Sequence, residues 1–160
     1  EEKYNVIINL QGDMPFFDPN LITTLLSKQY NEDLATLIYS APKQEIYDPN
    51  VVKVVVSWDT KESNNGKALY FSRSKVPHNS NEYWHHIGIY AWKRESLKNF
   101  ISLKPSKLEL IEKLEQLRAL ENGMKIRVFK VNQNPIGIDT QDDLNKIRKS
   151  LENKSESLIK

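Results

Sequence analysis

Residues 4–10 read YNVIINL, and the motif Gln11-Gly12-Asp13 follows directly. An almost continuous run of apolar, largely β-branched residues is typical of a strand that is buried on both faces of a sheet. We therefore predict a central strand here, with a polar loop at its carboxyl end. Because a central strand needs neighbours, we also expect that an earlier piece of the sheet is missing from this chain or is supplied elsewhere.

Strands and helices alternate along the rest of the chain. Apolar runs predict further strands over residues 34–39, 51–58, 68–71, 86–92 and 125–131. Between two of these strands, Asn64-Asn65-Gly66 is typical of a tight hairpin turn, which indicates an antiparallel insertion. The alternation predicts an α/β fold in which a mixed sheet is flanked by helices.

One helix is predicted near the start of the chain and another near its end. Asp18 can cap the first helix, and Pro19 suits its first turn. Its expected apolar stripe consists of Leu21, Ile22, Leu25 and Leu26. The last helix is expected to begin near Thr140 and to fray into the polar residues 153–160. Since no linker divides the chain, we predict that residues 1–152 belong to one domain and that 153–160 form a tail.

A further helix is predicted over residues 107–122. Ser106 and Glu109 match a capping box, and Gly123 occupies the position of a left-handed C-terminal cap. Arg118 falls within the apolar stripe of this helix, where a charge must be paired or serve a site. Two carboxylates on the same helix are candidates for an ion pair with it: Glu115 and Glu121.

The composition of the 160-residue chain excludes several classes of protein. Apolar residues make up 39% and charged residues 28%, which argues against disorder. The net charge is only +2 and the basic residues form no block, so we expect no nucleic-acid partner. There is no cysteine, and no apolar run reaches the ~20 residues that a membrane span needs. We therefore predict a cytoplasmic protein without a membrane segment.

Two aspartates directly follow predicted strands. They lie in Asn9-Leu10-Gln11-Gly12-Asp13 and in Gly137-Ile138-Asp139-Thr140. In open α/β sheets ligands bind beyond the carboxyl ends of the strands, and Mg²⁺ commonly takes one or two carboxylates there. Aspartate is also frequent in turns and at helix starts. From the residues alone, a metal site and a pair of turn aspartates are both open interpretations of Asp13 and Asp139.

Two other segments carry polar residues that are suited to a ligand. Arg73 stands at the exit of the strand 68–71, where a guanidinium can hold a carboxylate or phosphate through two hydrogen bonds. His86, Gly88 and Tyr90 share one face of the strand 86–92. That pattern predicts a strand with one face on the core and one face on a cleft. A surface ion pair of Arg73 and a structural role of His86 are the alternatives.

Five segments, in this order, resemble one known family. They read QGDMPF, ALYFSRSKVP, HIGIYAW, LELIEKLEQLRALENG and GIDTQDDL. Together they look like the 3-deoxy-manno-octulosonate (Kdo) cytidylyltransferases, also called CMP-Kdo synthetases. The resemblance implies a nucleotidyltransferase fold of the Rossmann-like, glycosyltransferase-A-like type. It also implies a homodimer that moves CMP from CTP onto Kdo, releases pyrophosphate and supplies lipopolysaccharide synthesis.

The resemblance also implies roles for individual residues. Asp13 and Asp139 match the Mg²⁺-binding aspartates of the family. The positions that match its sugar pocket are Gln11, Arg73, His86, Tyr90, Glu115 and Gln116. With Asp13 and Asp139, Arg73 is the residue expected to act in catalysis, by holding the Kdo carboxylate.

One departure from the family concerns the CTP site. The family opens with a loop of the type Arg-x-x-Ser-x-Arg-Leu-Pro-Gly-Lys-Pro that holds the CTP triphosphate, and nothing in this chain matches it. The chain is therefore expected to be the C-terminal portion of such an enzyme. The alternatives are a cytidylyltransferase for another acid sugar of the sialic acid type, and a fragment that folds or dimerises without activity.

Overall fold

The computed structural model describes residues 4–12, 17–27 and 31–132, together with the single positions 145 and 148. In chain order, these residues form the strands and helices β1 (Val6–Leu10), α1 (Asn20–Ser27), β2 (Leu34–Ser40), β3 (Lys53–Trp58), β4 (Asn65–Ser72), β5 (Trp84–Lys93), α2 (Arg94–Ser102), α3 (Lys107–Glu112), α4 (Gln116–Glu121) and β6 (Ile126–Lys130). No helix among them combines the length and apolar character that a membrane span requires.

The strands form one six-stranded sheet in the order β1-β5-β2-β6-β4-β3. The pair β2–β6 is parallel, and the remaining pairs are antiparallel. The predicted mixed sheet of an α/β fold is therefore confirmed. The β3–β4 hairpin is continuous with this sheet, because β4 pairs with β6 and Lys53 at the start of β3 also pairs with His85 of β5.

The core lies on both faces of the two central strands. Alternate residues of β2 point to opposite faces, so Leu34 and Ile38 join one apolar cluster whereas Ala35 and Leu37 join the other. The first cluster is completed by residues of the α2–α4 region, such as Phe100, Leu114 and Leu117. The second is completed by Leu21 and Leu25 of α1. Helical segments therefore cover the sheet from both sides, as predicted.

The first strand is present as predicted and has one described neighbour. β1 pairs only with β5 among the described strands, so it lies at an edge of the described sheet. Val6 and Leu10 are each 39% exposed. The β-branched run predicted a strand correctly because it reports local strand propensity. The further neighbour that the sequence predicts for β1 is not among the described strands, so it stays a prediction.

The buried apolar stripe of the first helix is narrower than predicted. Its start agrees with the sequence, since the backbone N–H of Asn20 donates to Oδ1 of Asp18 at 2.9 Å. Leu21 and Leu25 are buried, whereas Leu26 is 55% exposed and Ile22 is half-buried. A helix of eight residues contacts the sheet along one line of positions spaced by four, which leaves the neighbouring positions nearer to solvent.

The hairpin between β3 and β4 is confirmed, but its turn lies earlier in the chain. Asn65 and Gly66 already belong to β4, and Gly66 pairs with Trp58. A Cβ atom at Gly66 would lie 2.5 Å from the carbonyl oxygen of Ser57. The glycine therefore permits a close approach of two backbones, and residues 59–64 make the turn.

The helix predicted over residues 107–122 is interrupted. α3 ends at Glu112, Lys113 adopts a left-handed conformation with φ 55° and ψ 47°, and α4 begins at Gln116. Both predicted end signals are present, because Glu109 accepts a hydrogen bond from the backbone N–H of Ser106 and Gly123 has a φ of 77°.

The helix α2 had no counterpart in the sequence-based prediction. The helix expected near Thr140 lies outside the described residues, apart from helical positions 145 and 148.

Candidate functional site

A cavity of about 290 Å³ opens against the face of β5 that carries His86 and Tyr90. Its wall contains all of the residues predicted for a sugar pocket, and four more. The lining residues are Gln11, Val52, Arg73, His86, Gly88, Tyr90, Lys113, Leu114, Glu115 and Gln116. We call this cavity the β5 pocket. The structure thus brings the predicted positions together, and their roles toward a ligand stay predictions.

Three parts of the fold converge on the β5 pocket. The alternation of β5 turns His86, Gly88 and Tyr90 to one face. Gln11 follows β1, which runs beside β5, and its Cγ lies 3.4 Å from the point where a Cβ of Gly88 would be. The small residue therefore makes room for the Gln11 side chain. The break between α3 and α4 supplies the remaining wall, because it lets residues 113–116 border the cavity.

The carboxylate of Glu112 organises one side of this site. It accepts hydrogen bonds from Ser72 Oγ at 2.8 Å, from Tyr70 Oη at 3.3 Å and from the backbone N–H of Arg73 at 3.0 Å. These bonds to the ionised carboxylate outweigh its partial burial and lower the pKa of Glu112. A charged carboxylate thus holds the end of β4 against the end of α3.

Arg73 is itself bound largely by backbone. Its Nε donates to the carbonyl oxygen of Glu112 and its Nη1 to that of Pro49, each at 3.0 Å. Its Nη2 lies 3.5 Å from the carbonyl oxygen of Lys113. A guanidinium has five N–H groups, so Arg73 retains donors for a ligand while it ties three segments together.

Lys53 completes this arrangement and was missed from the sequence. Its side chain is fully buried, and Nζ donates to the carbonyl oxygens of Asp48 at 2.7 Å, Val51 at 2.5 Å and Arg73 at 2.5 Å. Burial lowers the pKa of Lys53, which the nearby Asp48 carboxylate partly offsets. The available signal was a lone lysine inside the apolar run VVKVVV. We refer to Lys53, Ser72, Arg73 and Glu112 as the engaged cluster.

His86 is buried, and burial lowers its pKa to about 3, with a smaller contribution from the neighbouring His85. The imidazole is therefore neutral at neutral pH. Its Nε2 lies 2.9 Å from the hydroxyl oxygen of Thr36, a fully buried residue of β2. The rings of Phe71 and Tyr90 lie 5.0 and 5.4 Å from the imidazole, centre to centre. These contacts restrict His86 to one orientation in the pocket wall.

Other residues of the pocket keep their polar atoms free. Within the described part of the chain, no protein atom hydrogen-bonds the side-chain polar groups of Gln11, Tyr90 or Gln116, although Tyr90 and Gln116 are only 5% and 4% exposed. Burial, and secondarily the Glu115 carboxylate, raises the pKa of Tyr90, so its hydroxyl stays protonated. We call these three residues the open cluster. None of their polar atoms is among the enclosed side-chain atoms that lack a partner, so water or a ligand can reach them.

The ion pair predicted for Arg118 within its own helix is wrong. Arg118 instead pairs with Glu109 of α3, through Nε to Oε2 at 2.8 Å and through Nη2 to Oε1, and it lies 4.7 Å from the ring centre of Phe100. Glu121 accepts from the backbone N–H of Leu108 at 2.9 Å. The break at Lys113 is the reason, because it folds α4 back against α3.

The predicted metal ligands Asp13 and Asp139 both lie outside the described residues. Over the ranges that are described, no group of three or more His, Asp or Glu side chains is arranged to hold a metal ion. The Mg²⁺ site thus stays a prediction.

Three comparisons with known proteins bear on this geometry. The profile of the family described as Cytidylyltransferase matches residues 1–126. A 3-deoxy-manno-octulosonate cytidylyltransferase of Bartonella henselae is 47% identical over 154 residues, which are 94% of this chain and 63% of the relative. One from Rickettsia rickettsii is 42% identical over 95% of this chain and 61% of the relative. The chain thus spans somewhat less than two thirds of the length of these curated relatives.

Solved structures agree with these matches. The structure of a CMP:2-keto-3-deoxy-manno-octonic acid synthetase complexed with CTP superimposes with a TM-score of 0.83 at 38% identity, over 96% of this chain and 64% of that one. The inositol-1-phosphate CTP transferase from T. maritima, with a TM-score of 0.59 at 20% identity over 96% of this chain and 57% of that one, shares the fold. Because the family profile covers well over half of the sequence and the fold agrees with it, the chain belongs to the cytidylyltransferase family.

Proposed function

We propose that the complete protein carrying this chain transfers CMP from CTP to Kdo, and that the β5 pocket binds the sugar. The observation that carries the proposal is the convergence of Gln11, Arg73, His86, Tyr90, Glu115 and Gln116 on one cavity. The resemblance of the sequence to the family predicts the same six positions for a sugar pocket. The similarity to named Kdo cytidylyltransferases at 42–47% identity supports the same substrate pair.

The chemistry of the pocket suits an acidic, polyhydroxylated sugar. The open cluster offers two amides and a protonated phenol, each of which can bond a hydroxyl group. The remaining N–H groups of Arg73 and the ammonium of Lys113 are cationic groups that can meet the carboxylate. Glu115, which is exposed at the rim, can accept from a sugar hydroxyl.

In the proposed reaction the anomeric hydroxyl of Kdo attacks the α-phosphorus of CTP. A sugar–phosphorus ester bond forms, the bond between the α-phosphorus and the bridging oxygen breaks, pyrophosphate leaves, and the hydroxyl proton passes to solvent. The contribution of the described residues is to hold the sugar in line for attack. Mg²⁺, when bound by Asp13 and Asp139, would neutralise charge on the phosphates.

The experiment is a pyrophosphate-release assay with the complete gene product, CTP, Mg²⁺ and Kdo. We expect turnover with Kdo and at least ~100-fold lower kcat/KM with N-acetylneuraminate, because a site whose polar groups hydrogen-bond one substrate discriminates strongly against another that leaves them unpaired. Higher activity with the sialic acid would favour the other acid-sugar cytidylyltransferase. Absence of CMP transfer to either sugar would contradict the proposal in favour of an inactive protein.

The metal ligands are tested separately. Asp13→Ala and Asp139→Ala are each expected to reduce kcat by ~100-fold or more, since charge neutralisation on the phosphates is lost. Far-ultraviolet circular dichroism and the unfolding midpoint are expected to stay at the parent values. Near-normal turnover by either variant would remove that residue from the metal site.

Three further properties are part of this proposal: a homodimer, a cytoplasmic location and a supply of activated sugar for lipopolysaccharide. They are what the resemblance of the five ordered sequence motifs to the family implies. Light scattering coupled to size-exclusion chromatography tests the first. A protein that is monomeric at micromolar concentration and still turns over Kdo would contradict the dimer alone.

A further inference from the structure

The contacts of the Thr36 hydroxyl indicate which ring nitrogen of His86 carries the proton. Thr36 is fully buried in β2, and its hydroxyl oxygen lies within hydrogen-bond distance of three groups. These are Nε2 of His86 at 2.9 Å, the carbonyl oxygen of Ile87 at 3.0 Å and the carbonyl oxygen of Ile89 at 2.8 Å. The arrangement arises at an irregularity of the β2–β5 ladder, where Thr36 pairs with Tyr90 but Leu37 pairs with Ile87.

A count of hydrogens decides the direction of these bonds. A threonine hydroxyl has one hydrogen and two lone pairs, whereas a backbone carbonyl can only accept. If the hydroxyl donated to His86, its lone pairs would face two carbonyl oxygens at 2.8–3.0 Å with no hydrogen between them. The hydroxyl therefore donates to a carbonyl and accepts from the Nε2–H of His86. The neutral ring then carries its proton on Nε2.

The other ring nitrogen is consequently an acceptor. Nδ1 of His86 has no hydrogen-bond partner among the described residues, and it is not one of the enclosed side-chain atoms that lack a partner. His86 also forms part of the wall of the β5 pocket. A neutral Nδ1 in this position can accept a hydrogen bond from a hydroxyl group of a ligand, whereas an Nδ1–H would repel that donor.

We propose that Thr36 is a positioning residue that holds His86 in the Nε2–H tautomer, so that Nδ1 accepts a hydrogen bond from a sugar hydroxyl in the β5 pocket. The identity of the sugar rests on the function proposed above, whereas the tautomer does not. Thr36 reaches no pocket surface itself, since it is 0% exposed and is not a lining residue. It acts through His86 alone.

The first measurement is a two-bond ¹H–¹⁵N correlation spectrum of the complete protein at pH 7, with the His86 signal identified by its loss in His86→Gln. We expect the pattern of a neutral imidazole protonated on Nε2. In Thr36→Val, which keeps the shape but lacks the hydroxyl, the pattern is expected to move toward the Nδ1–H form or a mixture of both. Thr36→Ser keeps the hydroxyl and is expected to retain the parent pattern.

The second measurement is the KM for each substrate in the CMP-transfer assay. Thr36→Val is expected to raise the KM for Kdo by ~5–10-fold, as for the loss of one hydrogen bond, with the KM for CTP within about twofold. Thr36→Ser is expected to restore the parent value. A purely structural role of Thr36 would lower the folded fraction and so reduce the apparent kcat without this selectivity for Kdo.

The outcomes separate the two proposals. An Nδ1–H pattern in the parent protein overturns the inference, even where Thr36→Val does not fold. An unchanged tautomer and an unchanged KM for Kdo in a folded Thr36→Val also overturn it. If the tautomer behaves as expected but Kdo is no substrate, the role of Thr36 toward His86 holds and the proposed function fails.

Discussion

The engaged cluster and the open cluster lie beside the same pocket, but the protein uses their polar atoms differently. Lys53, Arg73 and Glu112 make hydrogen bonds to backbone or side chains of three segments. Tyr90 and Gln116 are also buried, yet no described residue hydrogen-bonds their side-chain polar atoms. The engaged cluster therefore maintains the shape of the cavity, whereas the polar atoms of the open cluster can bind a ligand or water.

Arg73 links the two clusters. The sequence predicted a guanidinium for the substrate carboxylate, and the structure shows that three of its donors contact carbonyl oxygens. Since five N–H groups are present, binding of the backbone and of a ligand are compatible. The backbone contacts fix the direction of the donors that remain, which is what a positioned carboxylate requires.

The largest effect on stability is expected from a substitution of Lys53, the fully buried residue of the engaged cluster. Lys53→Met removes the donor that satisfies three carbonyl oxygens, and leaves them facing an apolar thioether. We expect a loss of about 3 kcal/mol in the free energy of unfolding, because each stranded acceptor costs roughly 1–3 kcal/mol unless water reaches it. Urea denaturation at pH 7 measures this. Lys113→Met at the exposed pocket rim is the matched control, with an expected change below ~0.5 kcal/mol. Equal losses of unfolding free energy in the two variants would contradict the structural role assigned to Lys53.

A second test uses pH, because His86 is held neutral in the fold by burial. Its Nε2 is hydrogen-bonded to Thr36, whereas its Nδ1 has no described partner. Its pKa is about 3 in the fold and near 6.5 in the unfolded chain, so between these values only the unfolded chain binds the proton. The stability due to the neutral imidazole is fully present above pH 6.5 and declines as the pH falls toward 3. The decline is expected to reach about 2 kcal/mol between pH 7 and pH 5.

Urea denaturation at pH 7, 6 and 5 measures this slope. In His86→Gln the slope should be shallower by the amount that His86 contributes, whatever the absolute stability of the variant. His78→Gln removes an exposed histidine and is the control for a general effect of charge. Identical slopes in the parent and in His86→Gln would show that the imidazole is not held neutral.

The smallest change in stability is expected from the loss of the Tyr90 hydroxyl in the open cluster. Tyr90→Phe removes a hydroxyl that has no described protein partner, so the free energy of unfolding should stay within ~0.5 kcal/mol of the parent. The Kd for Kdo, measured by calorimetry, should rise by ~5–10-fold through the loss of one hydrogen bond. Tyr39→Phe is the reciprocal control, because the Tyr39 hydroxyl donates to Glu45 at 2.8 Å outside the pocket. It is expected to cost about 1 kcal/mol of stability and leave the Kd unchanged.

The elements that were predicted correctly depend on local patterns. Alternation along β5 put His86, Gly88 and Tyr90 on one face, and Gly123 marked the end of α4. The errors arose where a distant contact decided the outcome. The break at Lys113 was not visible in a continuous helical pattern, because the Glu112 carboxylate and Leu114 take their positions from β4 and the core.

The six described strands, the mixed α/β class and six of the residues that face the β5 pocket could be predicted from the sequence, since side-chain periodicity and ordered motifs are properties of neighbouring residues. Which polar atoms of those residues lack a described protein partner depends on contacts between distant parts of the chain. Ser72 and Glu112 are 40 positions apart and Thr36 and His86 are 50 apart, so the chain must fold before a hydrogen bond can be made or left open. Tertiary contacts thus separate the engaged cluster from the open one.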